Sequence, residues 1–549
     1  MKSALITVLF LFLAAAGSAL ADEATLPHSL VRDSGGRLLA WHRPEIPGAA
    51  YAHVAGLAAE FLKTVPVEPT SGLKLYMVHA DFNGPGQDSS YAKGTSGTDW
   101  IPNPACVFAG FVQSLAVDYR VFSGDESYLE IVRECLDQML ANGTTCTDWP
   151  WPDCPYASAD PRSRVYQGGT RWEKEGRGDG LHCIEPDKVG ELGIGYLKFY
   201  QITGEARYLE AAIDCADALA ANVRDVLPGK EKFGTHFDTR SPWPFRVNAR
   251  TGVVVDEYTS NVVEPVRLFD ELIRTAQRTG IDSARVESFR KARSLAWEWL
   301  FALNGPMKTF IWNGYFEDIP SDHALQNRVQ ITPLETARYI LKHPEYDPSW
   351  KTNVPALLHW VAGVFATEGL EAIREQTWCY FPMGSHTSRY ASVCAMYYEK
   401  TGERRYLEEA FRFFNFATYV CEDCGYVWVG PGWETAWFSD GYGDYIRHFM
   451  EGLAAVPEWA PAGENHLLRS TSVVQTVSYG PRRVSYRTYD LDAVEVLRLG
   501  ARPKSVRAGA GRLDERVSLD MPGWTWEKLA QGGVLRVDHR GAAEVVVEM

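Results

Sequence analysis

The sequence predicts a mainly helical protein in which six pairs of helices close into a ring, followed by a small β-sandwich-like domain. Three observations support this prediction: a turn motif that repeats along the chain, an alternation of amphipathic and mostly apolar helical segments, and a change of hydrophobic period near residue 465. At 549 residues the chain is long enough to bury a large core and to contain more than one domain.

The repeated turn has the pattern Thr/Ser-Gly-Asp/Glu-x-x-Tyr-Leu-Glu. It occurs in the segments 123–130, 203–210 and 401–408, and looser versions begin at Thr279 and His343. Each glycine follows an apolar helical segment and suits the left-handed position after a helix. The acidic residue beside it suits the first turn of the next helix, where the helix dipole favours negative charge. The motif therefore predicts short connections between consecutive helices.

Between these turns, amphipathic segments that predict outer helices alternate with mostly apolar segments that predict inner helices. The predicted outer helices are 49–65, 125–142, 205–224, 282–302, 347–366 and 404–420, and the predicted inner helices are 104–122, 187–202, 259–279, 328–342, 387–400 and 435–454. An inner helix that is apolar around most of its circumference must be covered on several sides, as in a closed ring.

The connections from outer to inner helices are long, and long connections in a compact domain are usually functional. They comprise residues 66–103, 143–186, 225–258, 303–327, 367–386 and 421–434. In the predicted ring all six emerge at one end. We therefore expect a functional site at that end, which we call the mouth.

The first residues predict export. Lys2 precedes an apolar run over residues 4–13, and Ala19-Leu20-Ala21 is a small-x-small cleavage site. We expect residues 1–21 to be a signal peptide cleaved after Ala21, residues 22–48 to be an N-terminal extension, and the mature protein to be secreted or periplasmic. No later run of about 18 apolar residues exists, so no stable membrane insertion is expected. The net charge of −15 excludes nucleic acid as a partner.

On the repeated turns, the six helix pairs and the aromatic-rich connections, residues 49–455 resemble the six-hairpin glycosidase superfamily, whose members are (α/α)6 toroids. The resemblance implies a toroid catalytic domain over residues 49–460 that acts on a carbohydrate substrate. Farther along, Val484, Tyr486 and Thr488 alternate with polar residues, which predicts strands. We expect residues 465–549 to form a C-terminal β-sandwich-like domain, similar to those that follow many glycosidase domains.

Hydrolysis of a glycosidic bond needs two carboxyl groups, one to protonate the leaving oxygen and one to act as base or nucleophile. Acidic residues cluster at two predicted inner-helix starts, 182–187 and 255–261. Glu257, beside Asp256, is the predicted acid. Asp187 is the predicted base, because a helix start tends to lower the pKa of a carboxyl group. The alternative is that these acids only complement the helix dipole. The predicted catalytic candidates are Glu257, Asp187, Glu185, Asp179, Tyr258 and His236.

Aromatic and cationic residues in the connections predict sugar contacts, because a sugar ring has an apolar face and a polar edge. Arg246 could clamp a uronate carboxylate by paired hydrogen bonds, or it could tie down a long loop. The tryptophans could be sugar platforms or packed lids. The predicted substrate-binding residues are Trp100, Trp172, Trp243, Arg246, Asn261, Trp312, His386, Arg389, Tyr390, Trp433 and Glu434.

The leading hypothesis is an exported glycoside hydrolase that acts on a polysaccharide or oligosaccharide, including one that contains uronic acid. The main alternative is a polysaccharide lyase, in which Tyr or His removes the C5 proton of a uronate while Asn or Arg neutralises its carboxylate. Further alternatives are a sugar epimerase, whose toroid usually works with paired histidines, and a non-catalytic glycan-binding protein.

No motif for a cofactor is present, so none is expected. The close cysteine pairs Cys146/Cys154 and Cys421/Cys424 could form disulfides in an exported chain, and the helical cysteines suit buried free thiols. A zinc site at Cys421 and Cys424 would need a second pair of ligands, which is not evident at motif spacing. We therefore expect no metal.

Overall fold

The computed structural model describes most of the chain, including all six predicted helix pairs. The described residues are 26–80, 101–170, 179–226, 240–257, 261–314, 327–367, 369–377, 382–432 and 439–549.

In the described part of the chain, twelve helices of twelve residues or more alternate between an outer and an inner position. The outer helices are α1 (Ala49–Thr64), α3 (Tyr128–Asn142), α5 (Ala206–Ala221), α7 (Ser283–Phe301), α9 (Trp350–Phe365) and α11 (Arg404–Thr418). The inner helices are α2 (Pro104–Ser123), α4 (Pro186–Thr203), α6 (Val263–Thr279), α8 (Ile331–Lys342), α10 (Gly384–Thr401) and α12 (Ser439–Ala455). Short helices lie at Leu75–Val78 and Pro306–Thr309.

The inner helices form a closed ring. Each inner helix contacts the next one along the chain, and α12 contacts α2. Each inner helix also packs against its own outer partner: α2 against α3, α4 against α5, α6 against α7, α8 against α9, α10 against α11, and α12 against α1. The predicted (α/α)6 toroid is therefore confirmed.

The repeated turns adopt the predicted backbone. Gly124, Gly204, Gly280 and Gly402 end inner helices with φ values of 78°, 76°, 74° and 73°. A residue with a side chain rarely adopts this left-handed conformation, whereas glycine does so at little cost. These four glycines therefore fix where α2, α4, α6 and α10 stop and their outer neighbours begin.

The long connections meet at one end of the ring. The backbone of Ala159 bonds to Pro102, joining the first two connections, and Val329 bridges to Gln376 in a later pair. The second and third connections share a three-stranded sheet, formed by β3 (Cys183–Ile184), β4 (Arg246–Asn248) and β5 (Val254–Asp256). This end is the mouth expected from the sequence.

Four further short strands lie outside that sheet. They form the hairpins β1 (Val31–Arg32) with β2 (Leu38–Leu39), and β6 (Ala366–Thr367) with β7 (Ala372–Ile373).

After α12 the chain forms two antiparallel sheets. The strands are β8 (His466–Ser470), β9 (Val474–Gly480), β10 (Arg483–Thr488), β11 (Ala493–Leu499), β12 (Ser505–Ala508), β13 (Gly511–Leu513), β14 (Gly523–Lys528), β15 (Gly533–His539) and β16 (Glu544–Glu548). Their order is β13-β12-β16-β10-β9 in one sheet and β14-β15-β11-β8 in the other. Buried residues of both sheets share one hydrophobic core, so the sheets stack as a sandwich.

The sandwich packs on the end of the toroid opposite the mouth. Arg120, near the end of α2, is fully buried; its Nη2 donates to the carbonyl of Val474, and its Nη1 pairs with Glu126 at 2.9 Å. The side chain of Gln475 donates to the carbonyl of Gln201, near the end of α4. The short turns therefore face the sandwich, and the long connections face solvent.

One described helix is long and apolar enough to span a membrane by length and composition, namely α2 (Pro104–Ser123). Seventy-two per cent of its apolar window is buried inside the protein. This burial is that of a core helix in the inner ring.

Candidate active site

Among the described residues of the mouth, buried charged residues cluster at the start of α4. Glu185 occupies the position before the helix in an extended conformation, and Pro186 follows as the first helical residue. Strand β3 ends directly before Glu185 and pairs with β4, which begins with Arg246. This pairing brings the second and third connections together and places their charged residues side by side.

Three carboxylates surround the guanidinium of Arg246. Its Nη2 lies 2.7 Å from Asp179 Oδ1 and 2.7 Å from Glu185 Oε1, and its Nη1 lies 2.7 Å from Asp256 Oδ2. The side chains of Arg246 and Asp179 are each 2% exposed, and that of Glu185 is 9% exposed. We call these four residues the Arg246 cluster. Asp256, the third acid, is 21% exposed. One positive charge cannot balance three negative charges of which two are buried, so the cluster favours retention of a proton.

Glu185 is the member that holds this proton most readily. Burial raises the pKa of Glu185 to about 8, the Asp179 carboxylate contributes in the same direction, and Arg246 opposes both. Burial also raises the pKa of Asp256, again against the effect of Arg246. A carboxyl group that stays protonated near neutral pH can act as a general acid.

Asp187, in the first turn of α4, is buried beside the cluster. The backbone N–H of Lys188 donates to Asp187 Oδ1 at 2.9 Å. Burial nevertheless raises the pKa of Asp187, against the opposing effects of the Lys188 ammonium and of this hydrogen bond. The helix start was expected to lower this pKa, and that expectation is wrong because the carboxyl group is almost completely removed from solvent.

Glu257 does not have the surroundings expected of a general acid. It forms a two-pronged ion pair with Arg224, with N–O distances of 2.6 and 3.0 Å, and its side chain is 39% exposed. An acid needs burial or a like-charged neighbour to keep its proton, whereas Glu257 has a bound guanidinium. The environment predicted for Glu257 belongs instead to Glu185.

Arg246, which was predicted to clamp a uronate, is already paired with the three carboxylates described above. It connects β4 to the start of α4 and to β5. Its structural role corresponds to the loop-tying alternative, and its charge is not available for a ligand carboxylate.

Two predicted sugar platforms lie in the core. The side chains of Trp243 and Trp312 have no exposed surface. Trp243 packs against Phe269, and its indole N–H donates to the carbonyl of Leu219 at 2.9 Å. The expectation that these two rings stack on sugar is therefore wrong, because both serve as internal packing.

His386 and Arg389 lie one turn apart on α10 and are buried. Arg389 Nη1 donates to His386 Nδ1 at 2.8 Å, and Arg389 also pairs with Glu335 at 3.2 Å and with Asp444. Burial, and then the charge of Arg389, hold the pKa of His386 well below its usual range. Because a guanidinium only donates, the neutral ring carries its proton on Nε2, which lies 3.6 Å from Glu375.

Of the remaining candidate site residues, two lie among the described residues and six lie outside them. Tyr390 is buried, and its hydroxyl donates to Glu409 on outer helix α11, so its predicted contact with substrate is wrong. Asn261 is half-buried, and its Oδ1 accepts no hydrogen bond from the described part of the chain. The candidates that lie outside the described residues are His236, Tyr258, Trp100, Trp172, Trp433 and Glu434.

The axis of the ring carries a network of buried charges that the sequence analysis missed. Glu335 on α8 pairs with Arg338, Arg389 and Arg447, each at 3.2 Å. Burial alone would raise the pKa of Glu335, but the surrounding guanidinium groups hold it below its usual range. The detectable signal was a charged pair spaced i, i+3 within a mostly apolar helix, as in Glu335/Arg338.

The described cysteines are free thiols, so the two pairs that could form disulfides, Cys146/Cys154 and Cys421/Cys424, are unbridged in this structure. Over the same described ranges, no group of three or more His, Cys, Asp or Glu side chains has the arrangement of a metal site.

No protein-family profile matches the chain, and no curated protein matches it. Among solved structures, the chain is similar to a sugar epimerase from a ruminal bacterium, with 8% identity over 73% of this chain and 98% of that one, and a TM-score of 0.49. It is also similar to cellobiose 2-epimerase from Spirochaeta thermophila (12% identity, 76% and 98%, TM-score 0.48). A third structure is a glycosyl hydrolase family 88 protein from Bacteroides vulgatus (9% identity, 74% and 98%, TM-score 0.42).

At such identities the similarity concerns the fold alone. The six helix hairpins described above close into a ring, with short turns at one end and long connections at the other. The resemblance to six-hairpin glycosidases predicted from the repeated turns is therefore confirmed for the architecture: the chain is an (α/α)6 toroid with C-terminal β-sheets.

Proposed function

We propose that the protein is an exported glycoside hydrolase that acts on a polysaccharide or oligosaccharide through a pair of carboxyl groups at the start of α4. The observation that carries this proposal is the Arg246 cluster, in which two buried carboxylates and the part-exposed Asp256 share one guanidinium. Such a cluster supplies the protonated carboxyl group that cleavage of a glycosidic bond requires.

In this proposal Glu185 donates its proton to the leaving glycosidic oxygen. The resulting carboxylate remains 2.7 Å from Arg246, which stabilises the charge that proton transfer creates. Asp187 acts as the second carboxyl group, and its charged form is supported by the Lys188 N–H and ammonium. Glu257, the acid predicted from sequence, is replaced in this role by Glu185.

The geometry of the buried histidines does not favour an epimerase that uses paired histidine bases. His386 Nδ1 accepts from Arg389, and His448 Nδ1 accepts from Arg338 at 3.1 Å. Since both guanidinium groups can only donate, each neutral ring has its proton on Nε2. Each ring therefore presents its Nε2–H as a hydrogen-bond donor. A histidine that acts as a base needs an unprotonated ring nitrogen instead.

The lyase alternative requires a tyrosine or histidine base beside a cation or amide that neutralises a uronate. On α10, Tyr390 donates its hydroxyl to Glu409, and Arg389 is paired with Glu335 and Asp444. His236 and Tyr258, two further residues of the types that such a base requires, lie outside the described residues. An absorbance assay for unsaturated products therefore remains part of the test.

The test is a screen of neutral and uronate-containing glycans, read by reducing-sugar release and by absorbance of an unsaturated uronate. The wild-type protein should release reducing sugar without absorbance. Glu185→Gln and Asp187→Asn should each lower kcat by about 100-fold or more. Glu257→Gln, which makes the same chemical change next to the cluster, should retain most of the activity.

Three results would contradict the proposal. An unsaturated product would identify a lyase, and loss of activity in Glu257→Gln but not in Glu185→Gln would restore the original assignment of the acid. Binding of a glycan with no turnover in the wild-type protein would identify a non-catalytic glycan-binding protein. Export is tested separately: the N-terminus of the mature protein, measured by mass spectrometry, should begin after Ala21.

A further inference from the structure

A small cavity lies among the inner helices, next to the charged network of the axis. It has a volume of about 20 Å³, enough for an ordered water or a small polar group of a ligand. Helices α2, α4, α6 and α12 each contribute to its wall. Its polar lining residues are Gln113, Glu191, Lys198, Arg267 and Arg447.

The positive charges of the lining outnumber the negative ones by three to one. Lys198 is 3.2 Å from Glu271, and Arg267 is 2.6 Å from Glu264, so each of these cations is held by a carboxylate of α6. Neither Glu264 nor Glu271 lines the cavity. The lining cations are therefore fixed in position from behind, which is the arrangement of a preorganised anion site.

Arg447 has hydrogen-bonding capacity left over. Its side chain is 8% exposed, and its Nε makes no hydrogen bond to the described residues. Arg447 Nη2 pairs with Glu335 at 3.2 Å, whereas Nε lies 3.7 Å from Glu451 Oε1, which is beyond hydrogen-bond distance. A buried donor without a partner is costly, so a polar ligand group or water is expected beside it.

Backbone forms part of the cavity wall. Gly110 and Gly195 line it and contribute no side chain. Residues Val112–Tyr119 of α2 form a π-helix, in which side chains five residues apart share a face. Accordingly Gln113 donates to both oxygens of Asp118, at 3.1 and 3.0 Å. A π-helical segment inside an α-helix is uncommon and frequently marks a functional site.

The cavity lies deeper in the ring than the proposed catalytic carboxyl groups. Glu191, a lining residue, follows Asp187 by four residues on α4, which places it about 6 Å deeper along the helix axis. Lys198 follows Asp187 by eleven residues, so its Cα lies about 16 Å deeper by the same rise. The side chains of Glu191, Lys198 and Arg267 retain exposed fractions of 22%, 23% and 19%. A group that extends inward from a sugar at Asp187 therefore reaches Glu191 first and Lys198 last.

We propose that this cavity binds the carboxylate of a uronic acid residue, so that the substrate is an acidic glycan. The inference rests on the proposed hydrolase function, because it uses Glu185 and Asp187 to place the sugar. It differs from the clamp predicted at Arg246, which is 2% exposed and enclosed by three carboxylates. It assigns that role to Lys198 and Arg267, which keep exposed fractions of 23% and 19%, together with Arg447.

Binding is measured first, by calorimetry with D-glucuronate and D-galacturonate against D-glucose and D-galactose, using the full-length mature chain. The uronates should bind, and the neutral sugars should bind at least about tenfold more weakly. Lys198→Gln and Arg447→Gln should each weaken uronate binding by roughly tenfold to a hundredfold, because each removes a charge-assisted hydrogen bond. Lys198→Gln keeps the test usable if Arg447→Gln fails to fold.

The matched control is Arg293→Gln. Arg293 is an arginine of outer helix α7 that pairs with Asp270 at 2.9 Å, outside the cavity. This variant should bind uronate as the wild-type protein does. Equal affinity for uronates and neutral sugars, or equal loss in the control, would overturn the inference. Binding of chloride or acetate without any binding of uronate would show a site for small anions only, and this result would also overturn the inference.

Turnover separates this inference from the proposed function. Hydrolysis of neutral glycosides that is lost in Glu185→Gln and unchanged in Lys198→Gln would keep the hydrolase and reject the uronate site. Uronate binding that weakens in Lys198→Gln without any hydrolysis would reject the hydrolase while keeping the anion site. Hydrolysis confined to uronides, with KM raised in Lys198→Gln, would support both.

Discussion

Replacing Asp179 with asparagine should lower the pKa of Glu185 and move the alkaline limb of the pH–activity profile to lower pH. Arg246 Nη2 lies 2.7 Å from an oxygen of each carboxylate, so those two oxygens are no more than twice that distance apart. Two unit charges about 5 Å apart interact by about 3 kcal/mol at an effective dielectric constant of about 20. Since about 1.4 kcal/mol corresponds to one pH unit, removal of the Asp179 charge should shift the limb by about two pH units or somewhat less.

The assay measures kcat/KM between about pH 5 and about pH 10 with the substrate found in the screen. In the wild-type protein the general acid must be protonated, so activity should fall as the pH rises through the Glu185 pKa of about 8. In Asp179→Asn the fall should begin at lower pH. Asp270→Asn, which alters a similar aspartate–arginine pair outside the mouth, should leave the limb in place. An unmoved limb in Asp179→Asn, or one moved to higher pH, would refute the reasoning.

Two stability predictions follow from the packing of the toroid. Arg120→Met should lower the free energy of unfolding in urea by about 3–5 kcal/mol, because it leaves buried acceptors unpaired. Arg469→Met, at a part-exposed ion pair on the same interface, should lower it by at most about 1 kcal/mol. Equal losses from the two substitutions would contradict this prediction. Gly443→Ala should destabilise by about 1–3 kcal/mol, because its Cβ would lie 2.8 Å from the backbone of Gly110 on the facing inner helix. Gly363→Ala, on an outer helix with open space, should be neutral or stabilising, and a loss equal to that of Gly443→Ala would show that helix crowding is not the cause.

The ring itself was predictable because its signals are local. The glycine of each repeated turn ends a helix in the left-handed conformation, and the following Tyr-Leu pair starts the buried stripe of the outer helix; Tyr128 and Tyr208, for example, have no exposed surface. Helix order and short turns then leave few ways to arrange six hairpins other than a closed ring.

The site was less predictable because burial and partners are set by residues far apart in sequence. In the sequence, Glu257 and Glu185 both appear as acidic residues near helix starts. In the structure, Arg224 pairs with Glu257, whereas Glu185 shares the guanidinium of Arg246 with two other carboxylates. The indoles of Trp243 and Trp312 lie in loop segments, as platforms do, yet both are packed inside. Composition alone does not distinguish a packed tryptophan from an exposed one.

The axial charges illustrate a different gap. Inner helices were expected to be apolar around most of their circumference, yet Glu335, Arg389 and Arg447 lie buried on three of them, and Glu335 pairs with both arginines. The sequence shows only the pair Glu335/Arg338, spaced i, i+3 on one helix. Their partners lie on neighbouring inner helices, so only closure of the ring brings them into contact.

The most direct test is to measure whether Glu185 holds a proton near neutral pH. Infrared difference spectra between acidic and alkaline solution report the carbonyl band of a protonated carboxyl group. The wild-type protein should show such a band at pH 7 that disappears with a midpoint of about 8, and Glu185→Gln should lack it. The same band in both proteins, or no band in the wild-type protein at pH 7, would contradict the assignment of Glu185 as the acid.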